Sequence, residues 1–334
     1  MLPSHTQNME YRVFLTGSGI VERAKNLLRD NGCVIETGSP TDTSAALARK
    51  VSGFNPDALI VRQGRISAEV QDAAPCLKVI CKHGVGIDNI DVATATKRGI
   101  PVMFTPGAST NVVAEHTLAL LLALLRRIPQ QDRELRSGMF DKTRYSGSEL
   151  RGATLGLIGY GRIARRVAEL VASFGVEILV YHPSATGEAL PPRVSKLKDV
   201  DEVLRRSDIV SLHCPLTAST HALINEQAIM RMKHGALLIN TARGQLVDEE
   251  ALLKALRSGR LGGAALDVFA TEPLPANHPL LALDQVVVTP HVGGSSNASL
   301  TRMGMQAASN VLAVLHGQSV DVSNVLNPEV LPTS

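Results

Sequence analysis

Tryptophan is absent from this 334-residue chain, and aromatic side chains together make up only 3% of it. Proteins that bind single-stranded nucleic acid stack its bases on aromatic rings, so base-stacking platforms are not expected. A dominant charge is also missing. The 34 Lys and Arg stand against 31 Asp and Glu, a formal net charge of +3, and the basic residues are spread along the chain. That balance gives no footprint for nucleic acid, although it would not repel a small anion. Cysteine is scarce: Cys33, Cys76, Cys81 and Cys214 form no CxxC pair and no Cys/His zinc spacing. Such cysteines read as reduced thiols of a cytoplasmic protein, with no metal expected. Long apolar runs are lacking as well. The longest, Leu118 to Leu125, stops at Arg126-Arg127 and is too short to span a bilayer. Met1 to Glu10 is polar and has no apolar signal core.

What is present is a chain with 44% hydrophobic and 19% charged residues, long enough for two domains that each bury a core. Short β-rich runs alternate with helical stretches almost from end to end. Tyr11–Thr16, Cys33–Thr37, Ala58–Val61, Lys78–Cys81 and Pro101–Phe104 read as strands, with amphipathic stretches such as Ile20–Asp30 and Thr43–Val51 between them. A long helical region from Ser109 to about Gly138 follows. A second series then runs through Thr154–Ile158, Glu177–Tyr181, Ile209–Leu212, Ala236–Asn240, Gly263–Leu266 and Val286–Thr289. Alternation of this kind predicts parallel sheets covered by helices on both faces. The Pro/Gly-rich stretch Thr186 to Pro192 reads as a surface loop, and Asn297 to His316 as a closing helix. The expectation is an α/β protein of two Rossmann-like domains. Residues 106–301 would form a dinucleotide-binding domain with a six-stranded core. Residues 1–105 with 302–334 would form a discontinuous, flavodoxin-like substrate domain, rejoined by the closing helix.

The segment from Thr154 places Gly159-x-Gly161-x-x-Ala164 directly between a strand and a helix. A glycine permits the tight turn, a second lets the backbone approach a pyrophosphate, and a small third residue allows helix–strand packing. The helix N-terminal amides then bind the anion. Arg162 adds positive charge beside the phosphates. A carboxylate that would bind the ribose 2′-hydroxyl at the end of the next strand is missing, because that strand runs into His182-Pro183. No arginine follows at once to pair with a 2′-phosphate either. The residues favour NAD(H) and leave NADP(H) open.

Reduction of a keto acid needs a cation for the carboxylate, best an arginine fork, a general acid for the developing alkoxide, and a carboxylate to hold that acid. Arg243, Glu272 and His291 all follow strands of the second series. Open α/β sheets bind ligands at the carboxyl ends of their strands, so sequence position brings these three to the edge of the glycine turn. His116 lies in a helix and reads as a packed structural residue, and His213 as structural or part of the cofactor wall.

With these segments in view, the chain resembles the D-isomer-specific 2-hydroxyacid dehydrogenases over nearly its whole length. The resemblance is carried by Lys82-His-Gly-Val-Gly-Ile-Asp-Asn-Ile-Asp91, Val113-Ala-Glu-His-Thr117, Gly159 to Ala164 and the three strand ends. It implies an NAD(P)-dependent enzyme that interconverts a 2-keto acid and a D-2-hydroxy acid, with a glyoxylate, hydroxypyruvate or phosphoglycerate type of substrate. It also implies a homodimer built through the nucleotide domains. By the same resemblance His291 is the proton donor, Glu272 its partner and Arg243 the anchor. Thr241, Ala242 and Asp267 face the nicotinamide half, and Arg162 and Ile163 the pyrophosphate. Thr105, His182, Cys214 and Gly294 complete the cofactor set. Substrate contacts fall to the backbone of His83, Gly84 and Val85, with Arg62 and Lys82 near that loop. Two rivals keep the fold: oxidation of a phosphite-type anion, and a nucleotide-sensing protein without turnover.

Overall fold

The computed structural model describes residues 10–183 and 190–332, so most of the loop expected at 186–192 lies outside the described residues. The chain divides into two compact units, Met1–Ser109 with Gly294–Ser334, and Thr110–Gly293.

In the first unit the strands are β1 (Tyr11–Thr16), β2 (Cys33–Thr37), β3 (Ala58–Val61), β4 (Val79–Lys82) and β5 (Val102–Met103). Its helices are α1 (Glu22–Asp30), α2 (Ser44–Phe54), α3 (Ala68–Asp72) and α4 (Val92–Lys97). The sheet order β2-β1-β3-β4-β5 is all parallel, which is the flavodoxin-like order. Strand β3, Ala-Leu-Ile-Val, is fully buried, as a central strand covered on both faces must be.

The second unit opens with α5 (Thr110–Leu125) and α6 (Ile128–Arg136). Then come β6 (Thr154–Ile158), α7 (Arg162–Val171), β7 (Glu177–Tyr181), β8 (Val194–Lys196), α8 (Val200–Arg206) and β9 (Ile209–Leu212). α9 (Glu226–Arg231), β10 (Ala236–Asn240), α10 (Glu249–Arg257), β11 (Leu261–Leu266) and β12 (Val286–Val288) follow. The last helix, α11 (Asn297–Leu315), belongs to the first unit. The second sheet runs β12-β11-β10-β9-β6-β7-β8, a Rossmann order with a strand added at one end.

Besides end shifts of a residue at β4, β5 and β12, three differences from the sequence expectation each have a local reason. The region from Ser109 to Gly138 is two helices, because Arg127 takes a left-handed φ of 52° and Pro129 starts α6. Proline has no N–H to continue the α5 ladder and suits a first turn. β11 begins at Leu261, two residues early. A Cβ at Gly262 would lie 2.4 Å from Gly235 O, so the glycines there allow close strand approach instead of ending the strand. β8 makes the sheet seven-stranded. It is a three-residue edge strand with two exposed positions, too short to leave a pattern.

α5 is apolar on nearly every side and buries Val113, Ala114, Leu120, Leu121 and Leu124, as a helix packed within a core must. Among the described residues no helix is long and apolar enough to cross a membrane.

Candidate active site

The glycine turn lies at the carboxyl end of β6. Gly159 has φ +91°, and a Cβ there would lie 2.7 Å from both Cys214 N and His213 O. The turn therefore packs directly on the chain leaving β9, and only glycine fits. Around Gly161 a Cβ would meet nothing within 4 Å, so the space over the turn is open. Gly161 also caps α7 without any side-chain acceptor, which leaves the first-turn amides for an anion. Ala164 is fully buried against the sheet. Arg162 and Ile163 open the helix, and His182 follows β7. A backbone cradle that is open, uncapped and walled by Cys214 fits a dinucleotide pyrophosphate. Burial pushes the Cys214 thiol up to about 11, so it lines the wall as a neutral group.

At the end of β10, Asn240 is buried and ties the next loop. Its Nδ2 donates to Arg243 O (2.8 Å) and its Oδ1 accepts from Ala242 N (3.0 Å). Gly244 follows, where a Cβ would sit 1.8 Å from Phe269 C. The Arg243 loop thus presses on the backbone of the loop that leads to Glu272.

That second loop leaves β11 at Asp267. Glu272 Oε1 accepts from Phe269 N (3.0 Å), and Oε2 lies 2.7 Å from His291 Nδ1. Burial raises the Glu272 pKa, but the bonds from His291 and Phe269 and the charges of His291 and Arg243 outweigh it, and the net shift is downward. Glu272 is therefore ionised, Nδ1 of His291 carries the proton it donates, and Nε2 is left for chemistry. His291 is half exposed, with its side chain at 50%.

The third loop, after β12, holds His291 in a left-handed conformation with φ 54°. Asp267 fixes it. Its backbone O accepts from His291 N (2.8 Å), and its buried carboxylate accepts from Thr289 Oγ1 (2.6 Å), Val292 N (2.9 Å) and Gly293 N (2.8 Å). Burial pushes the Asp267 pKa up, yet its bonds to His116, Thr289 and these amides bring it below its ordinary value. The second unit therefore brings Arg243, Glu272 and His291 together, with Thr241, Ala242 and Asp267 in the loops that carry them.

Asn240 supports the Arg243 loop without having been marked in the sequence, and His116, expected as a packed structural residue, contacts Thr289 and Asp267. Asn240 gave a signal as a polar residue ending an apolar strand. His116 stood in the Val113–Thr117 segment that carries the resemblance, but helical periodicity alone accounts for its place.

In the first unit, Lys82 ends β4 and its Nζ donates to Asn89 Oδ1 (2.9 Å) and Arg62 O (3.3 Å). The loop amides are largely spoken for. His83 N donates to Val61 O (2.9 Å) and Gly84 N to Thr105 Oγ1 (2.9 Å). Thr105 is fully buried, its hydroxyl engaged with Gly84. Of the three loop residues only Val85 is exposed, at 41%. His83 is buried, its ring facing Gly304 of α11, and burial followed by the Arg62 charge pushes its pKa down to about 4. Arg62 lies over Gly19, and its Nη1 is buried without a hydrogen-bond partner among the described residues. Gly294 faces Ser109 of the same unit.

Comparison with known proteins places this arrangement. Residues 118–293 match the family model described as the D-isomer specific 2-hydroxyacid dehydrogenase NAD binding domain. A glyoxylate reductase of Thermofilum pendens is 48% identical over 80% of this chain and 80% of its own length. A D-3-phosphoglycerate dehydrogenase of Archaeoglobus fulgidus is 39% identical over 96% of this chain, which spans 60% of that protein. The crystal structure of the TT0316 protein from Thermus thermophilus superposes with a TM-score of 0.86 at 41% identity, over 94% of this chain and 99% of that one.

Proposed function

The chain belongs to the D-isomer specific 2-hydroxyacid dehydrogenase family, and on that premise we propose that it reduces a small anionic 2-keto acid to the D-2-hydroxy acid, or runs the reverse, with NAD(H). The relatives' names make glyoxylate, hydroxypyruvate and phosphohydroxypyruvate the first substrates to consider. The observation that carries the reading is the 2.7 Å bond between His291 Nδ1 and the ionised Glu272, beside Arg243.

The bound reduced nicotinamide supplies the hydride. Every other task falls to the protein. The uncapped start of α7 and the open face of Gly161 hold the pyrophosphate. The Arg243 guanidinium anchors the substrate carboxylate and stabilises negative charge on the carbonyl oxygen. Protonated His291 gives its Nε2 proton to that oxygen, while Nδ1–H stays hydrogen-bonded to the Glu272 carboxylate, which holds the ring in place. In the reverse direction neutral His291 accepts the hydroxyl proton through the same nitrogen. Val85 is the residue of the glycine loop best placed to meet a ligand, since the amides of His83 and Gly84 are engaged.

We also place the protein in the cytoplasm, as reduced cysteines suggest, and assign it a homodimer. Ile128, Leu135, Met139 and Phe140 of the second unit are between 44% and 75% exposed, apolar surface of the kind a second copy would cover.

The test is loss of reduced-nicotinamide absorbance, with NADH and NADPH assayed separately against glyoxylate, hydroxypyruvate, pyruvate and phosphohydroxypyruvate. Oxidation of phosphite and 3-phosphoglycerate completes the panel. Turnover of at least one keto acid with NADH is expected. Cofactor binding without turnover of any of them would overturn the reading, and turnover of phosphite alone would replace it.

A further inference from the structure

Two adjacent side chains on α5, unused by the proposed chemistry, reach the two loops that carry its main groups. His116 Nε2 lies 3.0 Å from Thr289 Oγ1 and 3.3 Å from Asp267 Oδ1. The Thr289 hydroxyl donates to Asp267 Oδ1, so it accepts from His116 Nε2–H. Next along the helix, Thr117 Oγ1 donates to Val113 O (2.8 Å). Its proton is spent there, and at 2.9 Å it accepts from the Thr241 hydroxyl. Thr289 stands two residues before His291, and Thr241 two residues before Arg243.

Consecutive helical residues point about 100° apart, so one short stretch of α5 can touch both loops at once. The loop after β12 needs such support. His291 sits at φ 54°, a conformation that a non-glycine residue keeps only where its surroundings over-determine it. What determines it is Asp267, through His291 N, Val292 N and Gly293 N, and the orientation of that carboxylate rests in turn on Thr289 and His116.

We propose that His116 and Thr117 are positioning residues, which make α5 a common mount for the loop of the proton donor and the loop of the anion anchor. Neither side chain touches the reacting atoms. Their role is to keep His291 Nε2 and the Arg243 guanidinium in one fixed relation. The proposal rests on the roles given above to His291 and Arg243.

The experiment compares His116→Leu, His116→Gln and Thr117→Val in the full chain. Two quantities are read: the single-turnover rate of hydride transfer, and hydrogen exchange of the Val292, Gly293 and Ala242 amides in the cofactor-free protein. In His116→Leu the transfer rate falls roughly tenfold to a hundredfold, because misplaced groups cost rate while binding persists. KM for the keto acid and Kd for NADH stay within about twofold, and Val292 and Gly293 exchange about tenfold faster. His116→Gln, which keeps a donor, recovers most of both. Thr117→Val slows transfer and speeds exchange at Ala242, and it decides the matter if His116→Leu does not fold. Rates and exchange within about twofold of the parent, or a His116→Gln variant as impaired as His116→Leu, would overturn the proposal. If the parent turns over no keto acid, the functional reading fails, and the exchange measurements alone still decide the positioning role.

Discussion

The carboxyl edge of the second sheet and that of the first are built in opposite ways. In the second unit the loops around His291, Glu272 and Arg243 are tied by a dense set of hydrogen bonds. Asp267 spends its carboxylate on three protein donors besides its contact with His116, and Asn240 spends its amide on both ends of the Arg243 loop. In the first unit a buried donor is left over: Arg62 Nη1 has no partner among the described residues. A buried polar group without a partner costs free energy, and a bound anion is the natural partner for an arginine. The contrast teaches where each property resides. On the proposed function, chemistry common to 2-keto acids would sit in the pre-organised unit, and selectivity among them where hydrogen-bonding capacity is still unspent.

The largest effect that would sharpen this contrast is expected in the second unit. His291→Ala should lower kcat by roughly a thousandfold while NADH binds with nearly parental Kd in a fluorescence titration. Retention of a tenth of the parental kcat would break the assignment of the proton to His291.

A smaller effect concerns stability and belongs to the first unit. Burial holds His83 at about 4, against 6.5 for a free imidazole. Between those values the unfolded chain binds a proton that the folded chain refuses, so stability rises with pH across that window and falls on acidification. The full difference is on the order of 3 kcal/mol. His83→Gln should flatten the dependence of Tm on pH between about 4 and 6.5, as read by calorimetry. An unchanged slope would show that the ring is not kept neutral.

The smallest effect tests selectivity itself. Arg62→Gln should change the ratio of kcat/KM for phosphohydroxypyruvate over glyoxylate by roughly tenfold, the scale of one charged hydrogen bond. It should leave kcat for glyoxylate within about twofold. An equal loss on both substrates would return Arg62 to the general machinery and erase the division between the units.

Much of this was legible beforehand because it depends on local pattern. Strands such as Ala58–Val61 and Ile209–Leu212 are continuous apolar runs, and their bounds follow from composition alone. The glycine turn and the three strand-end groups are legible because parallel topology sends every strand's carboxyl end to one edge. What escaped depends on contacts between distant segments. His116 is an ordinary helical residue until Thr289, 173 positions away, is folded against it. The engagement of Gly84 N with Thr105 Oγ1 likewise joins two loops that the sequence keeps apart. Gly262 reads as a strand breaker until the neighbouring Gly235 carbonyl shows why no side chain fits.

The far end of the chain has a bearing on the order in which the molecule can be assembled. β5 is only two residues long, and residues near 325 complete it. Val325 bridges Met103 in antiparallel fashion, Leu326 N donates to Val102 O, and Asn327 Oδ1 accepts from Val102 N across 225 residues. The second unit is continuous from Thr110 to Gly293 and can collapse on itself as soon as it leaves the ribosome. The first unit is begun earlier and finished later. Until residues 325–327 arrive, an edge of its sheet stays open to foreign strands. Synthesis therefore leaves the oldest part of the polypeptide waiting longest for its native partners.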